Sequence, residues 1–513
     1  MIKIYKYVMI ILCEGICMSS SEEMVMFGTK PIRVVDKLPT PEEVFRLPKL
    51  TWGNIFTKIL GPAAIPLGMA IGSGEWLMGP SVAAAYGLGL FWLVWVGMIQ
   101  QTIYNCWWAR MTVMTGEPIN VLLARVPPKN FWSTLGMIFT FLRLFWPGWA
   151  AGAATGALAI ALGRIPGAAE AELVRWTGVV LFLLCAFFVS VGGKIEGTLE
   201  IVEKAMVIFI LVSLVFIVAP LTITPQTLAE AAKGMVSVGY IPKGVDILLF
   251  AGWYAYIGDA AAANHEASGY WRDKGYGTGS VVGFIPAAVG GKKIILSPVG
   301  AIFKLTPENL KTWKVWERLT YLDQWIIFFI GGMFGMYLPA MIVASLVPVG
   351  TTLPAWGIAA HVSNQFAAKV GPWGYYFIAL IGFIILFSTQ LGVVDRLTRV
   401  VTDVLWSTSE GVRKWAKGDI RRVYYPFLAV YLIFGCFAMW TAAPLIILLI
   451  AANIVHFYGL WLIPVLTYID RKLLPKELRA PIWMPIISWT MWAFHVLFAI
   501  ALTAYYGFGI KIF

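Results

Sequence analysis

Eleven long apolar runs decide what this chain can become. They lie at about 55–86, 89–114, 131–162, 174–192, 198–220, 245–270, 324–348, 372–395, 423–441, 443–468 and 483–508 of a 513-residue sequence. A helix of about 20 apolar residues crosses the hydrocarbon core of a bilayer, and a longer one tilts or breaks. Each run must satisfy its own backbone hydrogen bonds in lipid, which leads to an all-α polytopic membrane protein with 11 transmembrane helices. Composition agrees: 59% of residues are apolar and 13% charged, against roughly a quarter charged in a soluble domain. Lipid is therefore the first partner. The net charge of +12 reflects topology and does not point to nucleic acid. Most of the 39 Lys and Arg fall in alternate connections. The opposite side holds Arg164, Arg175, Lys233, Lys243, Lys369 and Lys511. By the positive-inside rule the N-terminus is cytoplasmic and the C-terminus lies outside a cell membrane.

Four regions follow. Residues 1–54 form a cytoplasmic N-terminal tail. Its first 24 residues are a poor signal peptide, because Glu14 interrupts a short apolar stretch and no small-residue cleavage site follows, so an uncleaved tail or an early start codon is expected. Residues 55–220 form a first five-helix repeat, 221–468 a second, and 469–513 carry an eleventh helix. The repeat rests on two interrupted spans. Span 1 is broken at Gly72-Ser73-Gly74 and span 6 at Gly258-Asp259. Four spans intervene, so the two run in opposite directions, giving an inverted five-plus-five arrangement. The second repeat contains a cytoplasmic amphipathic insertion at 270–323. Within it Thr306-Pro307-Glu308 starts a helix, and Trp313 and Trp316 alternate with Lys311, Lys314 and Arg318. That pattern suits a helix lying on the membrane surface.

Chemistry is expected at the interruptions. Glu75 follows Gly72-Ser73-Gly74 at mid-span. An acid there marks an ion or proton path, or caps the half-helix that restarts beside it. Arg143 lies inside span 3 and needs an acidic partner, for which Glu75 and Asp259 are the candidates. It either completes a structural ion pair or takes an anionic group. Asp259 and Asn264 flank the break in span 6, with His265 and Glu266 nearer the interface. In span 8, Ser388, Thr389 and Gln390 offer oxygens at depth. Asp395, Arg396, Arg399 and Asp403 approach the inner face, where Asp395 and Arg399 make an i,i+4 pair in a salt-bridged extension. Asn453 reads as helix–helix glue. The cysteines (13, 17, 106, 185 and 436) are scattered and form no zinc or disulfide framework.

These residues carry a resemblance. GPAAIPLGMAIGSGEWLMGPSVAAAYGLGLFWLVWVGMIQQTIYNCWWARMTVMTGEP, from Gly61 to Pro118, resembles helices 1 and 2 of the Nramp metal-transporter family, and STQLGVVDRLTRVVTDVL resembles its helix 8. The resemblance implies the leucine-transporter (LeuT) fold and secondary transport of a metal ion by alternating access, as a symporter. The departures are specific. The family's helix 1 motif Asp-Pro-Gly-Asn falls on Gly72-Ser73-Gly74-Glu75. Its helix 6 Met-Pro-His-Asn falls on Ala261-Ala262-Ala263-Asn264. The helix 3 acids are missing, and Arg143 is there instead. The soft thioether and imidazole ligands are thus lost. What remains as a metal-ligand set is oxygen, from Glu75, Asn264 and Gln390, which suits Mg²⁺, Ca²⁺ or Mn²⁺.

The expected function is transport of a hard divalent cation as substrate, with no resident cofactor. The substrate-binding set is Gly72, Ser73, Gly74, Glu75, Asp259, Asn264, Gln390 and Arg143. The alternative keeps the scaffold and carries a small organic or zwitterionic solute, with Arg143 or Glu75 taking its charged group. An enzyme is not expected. The histidines at 265, 361, 456 and 495 show no pairing on one span, and no nucleophile motif is present.

Overall fold

The computed structural model describes residues 23–292, 294, 296–353, 358–440 and 444–512, without the side chains of Ser73, 358–361 and 444–447. The leader reading of the first residues, Cys13 and Cys17 lie outside the described residues, as do the side chains of Ser73 and His361. The long helices are α1 (Ala64–Tyr86), α2 (Phe91–Thr115), α3 (Phe131–Leu162), α4 (Ala171–Ser190) and α5 (Ile195–Thr222). They are followed by α6 (Ile247–Ala255), α7 (Pro307–Leu346), α8 (Pro372–Thr408), α9 (Arg421–Ala438), α10 (Pro444–Tyr468) and α11 (Trp483–Phe508). Among the described residues, α3, α4, α5, α7, α8, α10 and α11 are long and apolar enough to cross a membrane, and α1 joins them as part of a bent pair. The chain is a multi-pass membrane protein.

Helix α8 is the hub. It packs on α1, α3, α4, α5 and α9, while α7 packs along α1 and α11 joins α10 and α2. The stretch of α8 from Leu386 to Val404 is buried all round, as expected of a helix enclosed by others.

Span 1 differs from its sequence expectation. The segment Gly72-Ser73-Gly74 does not unwind; Ile71–Met78 widens into a π-helix between α-helical turns. The sharp bend, 60°, falls earlier, between Trp52–Ile59 and Ala64–Tyr86. Side chains satisfy the groups freed there. Asp323 accepts from the N–H of Gly61 at 2.8 Å and of Ala63 at 3.0 Å, and Lys204 and Tyr276 donate to the carbonyls of Leu60 and Ile59. The glycines serve close approach instead. A Cβ on Gly72 would stand 1.6 Å from Thr389 Oγ1 of α8, and one on Gly74 2.2 Å from the carbonyl oxygen of Tyr256.

Span 6 is interrupted after α6. Gly258, Asp259 and Ala261 all have positive φ, at 61°, 86° and 42°, before a 3-10 helix at Ala261–Ser268. Two of these are not glycine, and such backbone is costly unless its surroundings hold it. Asn264 does so: its Oδ1 accepts from Ala260 N–H at 2.6 Å, and its Nδ2 donates to the Gly258 carbonyl at 3.0 Å. Helix α3 is interrupted at Pro147. There Tyr431 donates to the Leu144 carbonyl at 2.9 Å, and Gln390 Oε1 accepts from Ala150 N–H at 3.0 Å.

The region expected to hold a surface helix is packed inside. Pro307–Leu322 continues through a π-helical stretch, Asp323–Phe329, into Ile330–Leu346. Trp313 and Trp316 are both fully buried. The Arg110 guanidinium of α2 lies over Trp313 and donates to Glu317 at 2.8 Å, while Trp316 donates to the Pro39 carbonyl at 2.8 Å and packs on Phe45 and Tyr276, so both tryptophans meet protein. A small sheet also departs from the all-α expectation. Strand β1 (Met24–Phe27) pairs antiparallel with β2 (Lys30–Val35), which pairs parallel with β3 (Ala301–Phe303). Arg125 clamps it, donating to the carbonyls of Phe27, Lys30 and Pro31 and to Glu117.

The close approach of Gly74 to the Tyr256 carbonyl gives a direct test. Gly74→Ala forces a methyl against a backbone carbonyl that no rotamer change can move. Overpacking of this kind costs about 1–3 kcal/mol, so the detergent-purified variant is expected to melt below wild type. An unchanged melting temperature would mean that spans 1 and 6 do not touch there.

Candidate functional site

Glu75 sits where α1, α6 and α7 meet. It is fully buried, and neither carboxylate oxygen has a hydrogen-bond partner. Among the described residues it is the one carboxylate with both oxygens buried and unbonded. A Cβ on Gly335 would stand 2.3 Å from Glu75 Oε2, so only glycine leaves room for the carboxylate against α7. A Cβ on Gly332 would stand 3.8 Å from Glu75 Oε1 and 3.2 Å from Met98 Sδ, which sets a thioether of α2 on the same side. The neighbouring charge acting on Glu75 is Asp259, of the same sign. A buried carboxylate with no donor and no cation is costly. It does not cap its half-helix, because the π-turns of Ile71–Met78 leave no open helix start beside it.

The other expected residues are already engaged. Arg143 does not meet Glu75 or Asp259 as a hydrogen-bond partner. It donates to Glu266 Oε2, while Thr140 donates to Glu266 Oε1 at 2.8 Å. Glu266 and His265 are buried rather than interfacial. The physical reason is that the whole 3-10 segment Ala261–Ser268 is enclosed by other elements, so side chains on every face of it are buried. His265 is held by the Ala262 carbonyl and by Tyr458 at 3.1 Å. Asp259 accepts from Arg396 at 2.6 Å.

Oxygen donors do not converge on Glu75. The Asn264 oxygen is taken by Ala260 N–H, and its nitrogen donates to Gln101 and Asn105 of α2 as well as to Gly258. The Gln390 oxygen faces α3. Among the described residues, no three His, Cys, Asp or Glu side chains gather as a metal cluster. Gly72 and Gly74 line the site as backbone, against Thr389 and Tyr256.

The four charges of α8 form a buried lattice rather than a solvated extension. Arg399 donates to Asp395 at 2.8 Å, the expected i,i+4 pair, and also to Asp273. Arg272 donates to Asp273 and to Asp403, each at 2.6 Å. Tyr424 donates to Asp395. Asn453 donates to the Leu248 carbonyl at 3.0 Å, joining α10 to α6.

Glu203 and Asp323 are functional-looking acids not among the residues expected from the sequence. Glu203 of α5 is fully buried; Ser388 donates to its Oε2, and its Oε1 has no partner. The signal for it was an acid within an apolar run. Asp323 sits at the edge of one, and its capping role depends on a contact with α1 that spacing does not reveal.

This helical architecture is one the chain shares with solved membrane proteins. Among solved structures it is similar to a histidine-to-alanine variant of the Eremococcus coleocola manganese transporter, with a TM-score of 0.59, 12% identity, and coverage of 94% of this chain and 92% of that one. The same transporter with an aromatic bis-isothiourea substituted compound matches at a TM-score of 0.57 with the same identity and coverage. MhsT in complex with L-phenylalanine matches at 0.48, with 14% identity and coverage of 86% of this chain and 98% of that one. No protein-family model and no curated protein matches the sequence. At such identities the likeness concerns the fold, and the chemistry rests on this chain's own residues.

The Arg143–Glu266 pair separates structural from cargo-binding roles. Removing one partner of a buried pair strands the other charge and costs about 3–5 kcal/mol. Arg143→Gln and Glu266→Gln are each expected to lower thermal stability strongly, and the double variant to recover a large part. Additive losses in the double-mutant cycle would mean that the two are not coupled.

Proposed function

We propose that the chain is a secondary transporter that moves a small cation by alternating access, with Glu75 as the group that takes its charge. The observation that carries this reading is the buried Glu75 carboxylate, which has no partner for either oxygen. Intramembrane acids in transporters mark ion and substrate paths, and an acid without a partner is stabilised most by a cation that arrives. A divalent metal ion is the cargo we favour, bound by Glu75 together with carbonyl and amide oxygens exposed as α1 and the span 6 break separate. Such oxygen ligands suit Mn²⁺ and Mg²⁺. The fold likeness to a manganese transporter points the same way. Asn264 and Gln390 would join as ligands only after releasing Ala260 and Ala150.

A zwitterionic cargo needs a free cation for its acid group. The expected one, Arg143, is paired with Glu266, and the buried Arg396 is paired with Asp259. That ranks the organic solute second.

The test is uptake of Mn²⁺ and Mg²⁺ into liposomes holding the purified protein, followed with a fluorescent indicator. Wild type is expected to admit at least one of the two, and Glu75→Gln to lose about tenfold or more of the rate, the factor that about 1.4 kcal/mol of lost binding produces. No uptake by wild type would overturn the metal reading. Uptake undiminished in Glu75→Gln would remove Glu75 from the site.

A further inference from the structure

Two of the histidines that are far apart in sequence meet in the core. His456 of α10 and His495 of α11 are both fully buried, and their Nδ1 atoms lie 3.1 Å apart. His456 Nε2 is 3.0 Å from the carbonyl oxygen of Ala251 in α6. His495 Nε2 is buried and has no partner among the described residues. Tyr254 of α6 lies parallel to His456 and edge-on to His495. A Cβ on Gly459 would touch both His495 and Ala262. The pair therefore contacts span 6 before its break, while Gly459, one turn on from His456 in α10, lies against Ala262 after it.

Hydrogen-bond logic assigns the protons. A carbonyl only accepts, so His456 Nε2 carries hydrogen. In the neutral pair His456 Nδ1 then accepts, His495 Nδ1 donates, and His495 Nε2 is left as a bare lone pair. One further proton can be held there without breaking either existing bond. The resulting imidazolium would have an unpaired N–H and an uncompensated charge. The polar side chain facing the pair is Tyr254 of α6, whose hydroxyl donates to Gln100 of α2 at 2.8 Å. Among the described residues no carboxylate bonds either ring. Protonation is thus disfavoured while span 6 is seated, and favoured in an arrangement that opens Nε2 to water.

We propose that the His456–His495 pair is a proton-binding lock, which holds the first half of span 6 against α10 and α11 when neutral and releases it when His495 Nε2 gains a proton. The lock concerns movement of span 6 and holds whichever solute is carried.

Hydrogen exchange of residues 247–268 in the purified full chain tests this without any cargo, so its failure and failure of the metal reading are separate results. After correction for the intrinsic pH dependence of exchange, wild type is expected to exchange about threefold or more faster near pH 5.5 than near pH 7.5, the interval in which imidazole titrates. His495→Gln, which keeps a donor for His456, is expected to show no such acceleration. His456→Gln serves as the second variant and is expected to behave alike. No acid acceleration in wild type, or the same acceleration in the folded variants, would overturn the proposal and leave the pair as packing.

Discussion

Charge placed where neither lipid nor protein can solvate it must find its partner within the fold, and this requirement organises the molecule. Asp259, Glu266, Asp273, Asp395 and Asp403 are matched to Arg143, Arg272, Arg396 and Arg399. Most of these pairs join elements distant in sequence, and they bind α8 to the two sides of the break in span 6. Buried pairs add little net stability over apolar packing, yet losing one partner is severe. They therefore specify one arrangement of helices more than they strengthen it. Against this background the isolation of Glu75 is informative, because among the described residues it is the one buried carboxylate whose two oxygens both lack a partner.

The same requirement governs the backbone. Each interruption in a long helix is met by a polar side chain: Asp323 at the bend before α1, Asn264 in span 6, and Gln390 with Tyr431 in α3. Irregular backbone within a membrane protein persists only where such partners exist. Several residues that look like ligands from their chemistry are therefore structural in this arrangement. An amide supplies both a donor and an acceptor, which suits a broken helix as well as it suits a cation.

The apolar runs were legible because bilayer thickness sets their length, and most described long helices fall where the runs do. Glu75, Arg143 and the Asp395–Arg399 pair were legible because charge in an apolar run is rare. Partner choice was not. Whether Arg143 meets Glu75, Asp259 or Glu266 depends on the pitch of an eight-residue 3-10 segment, and sequence periodicity does not resolve 3-10 from α over so short a stretch. The role of Gly72 and Gly74 was misread for a related reason. Glycine signals both a break and a close approach, and only the facing carbonyl of Tyr256 tells them apart. Trp313 and Trp316 suited a lipid surface in composition, but their burial against Arg110 and against Phe45 and Tyr276 is a tertiary fact.

Helix α7 runs 40 residues without interruption, which at 1.5 Å per residue is about 60 Å of rod. Three turns from its start Glu317 pins it to Arg110; further along, Gly332 and Gly335 lie against Glu75. Between the two lies the π-helical stretch Asp323–Phe329, the most compliant part of the rod, and Asp323 within it grips the start of α1. The same helix thus bears on two points of span 1 at once: a displacement of α7 at Gly332 and Gly335 would press on the Glu75 carboxylate, and one at Asp323 would pull on the backbone of Gly61 and Ala63.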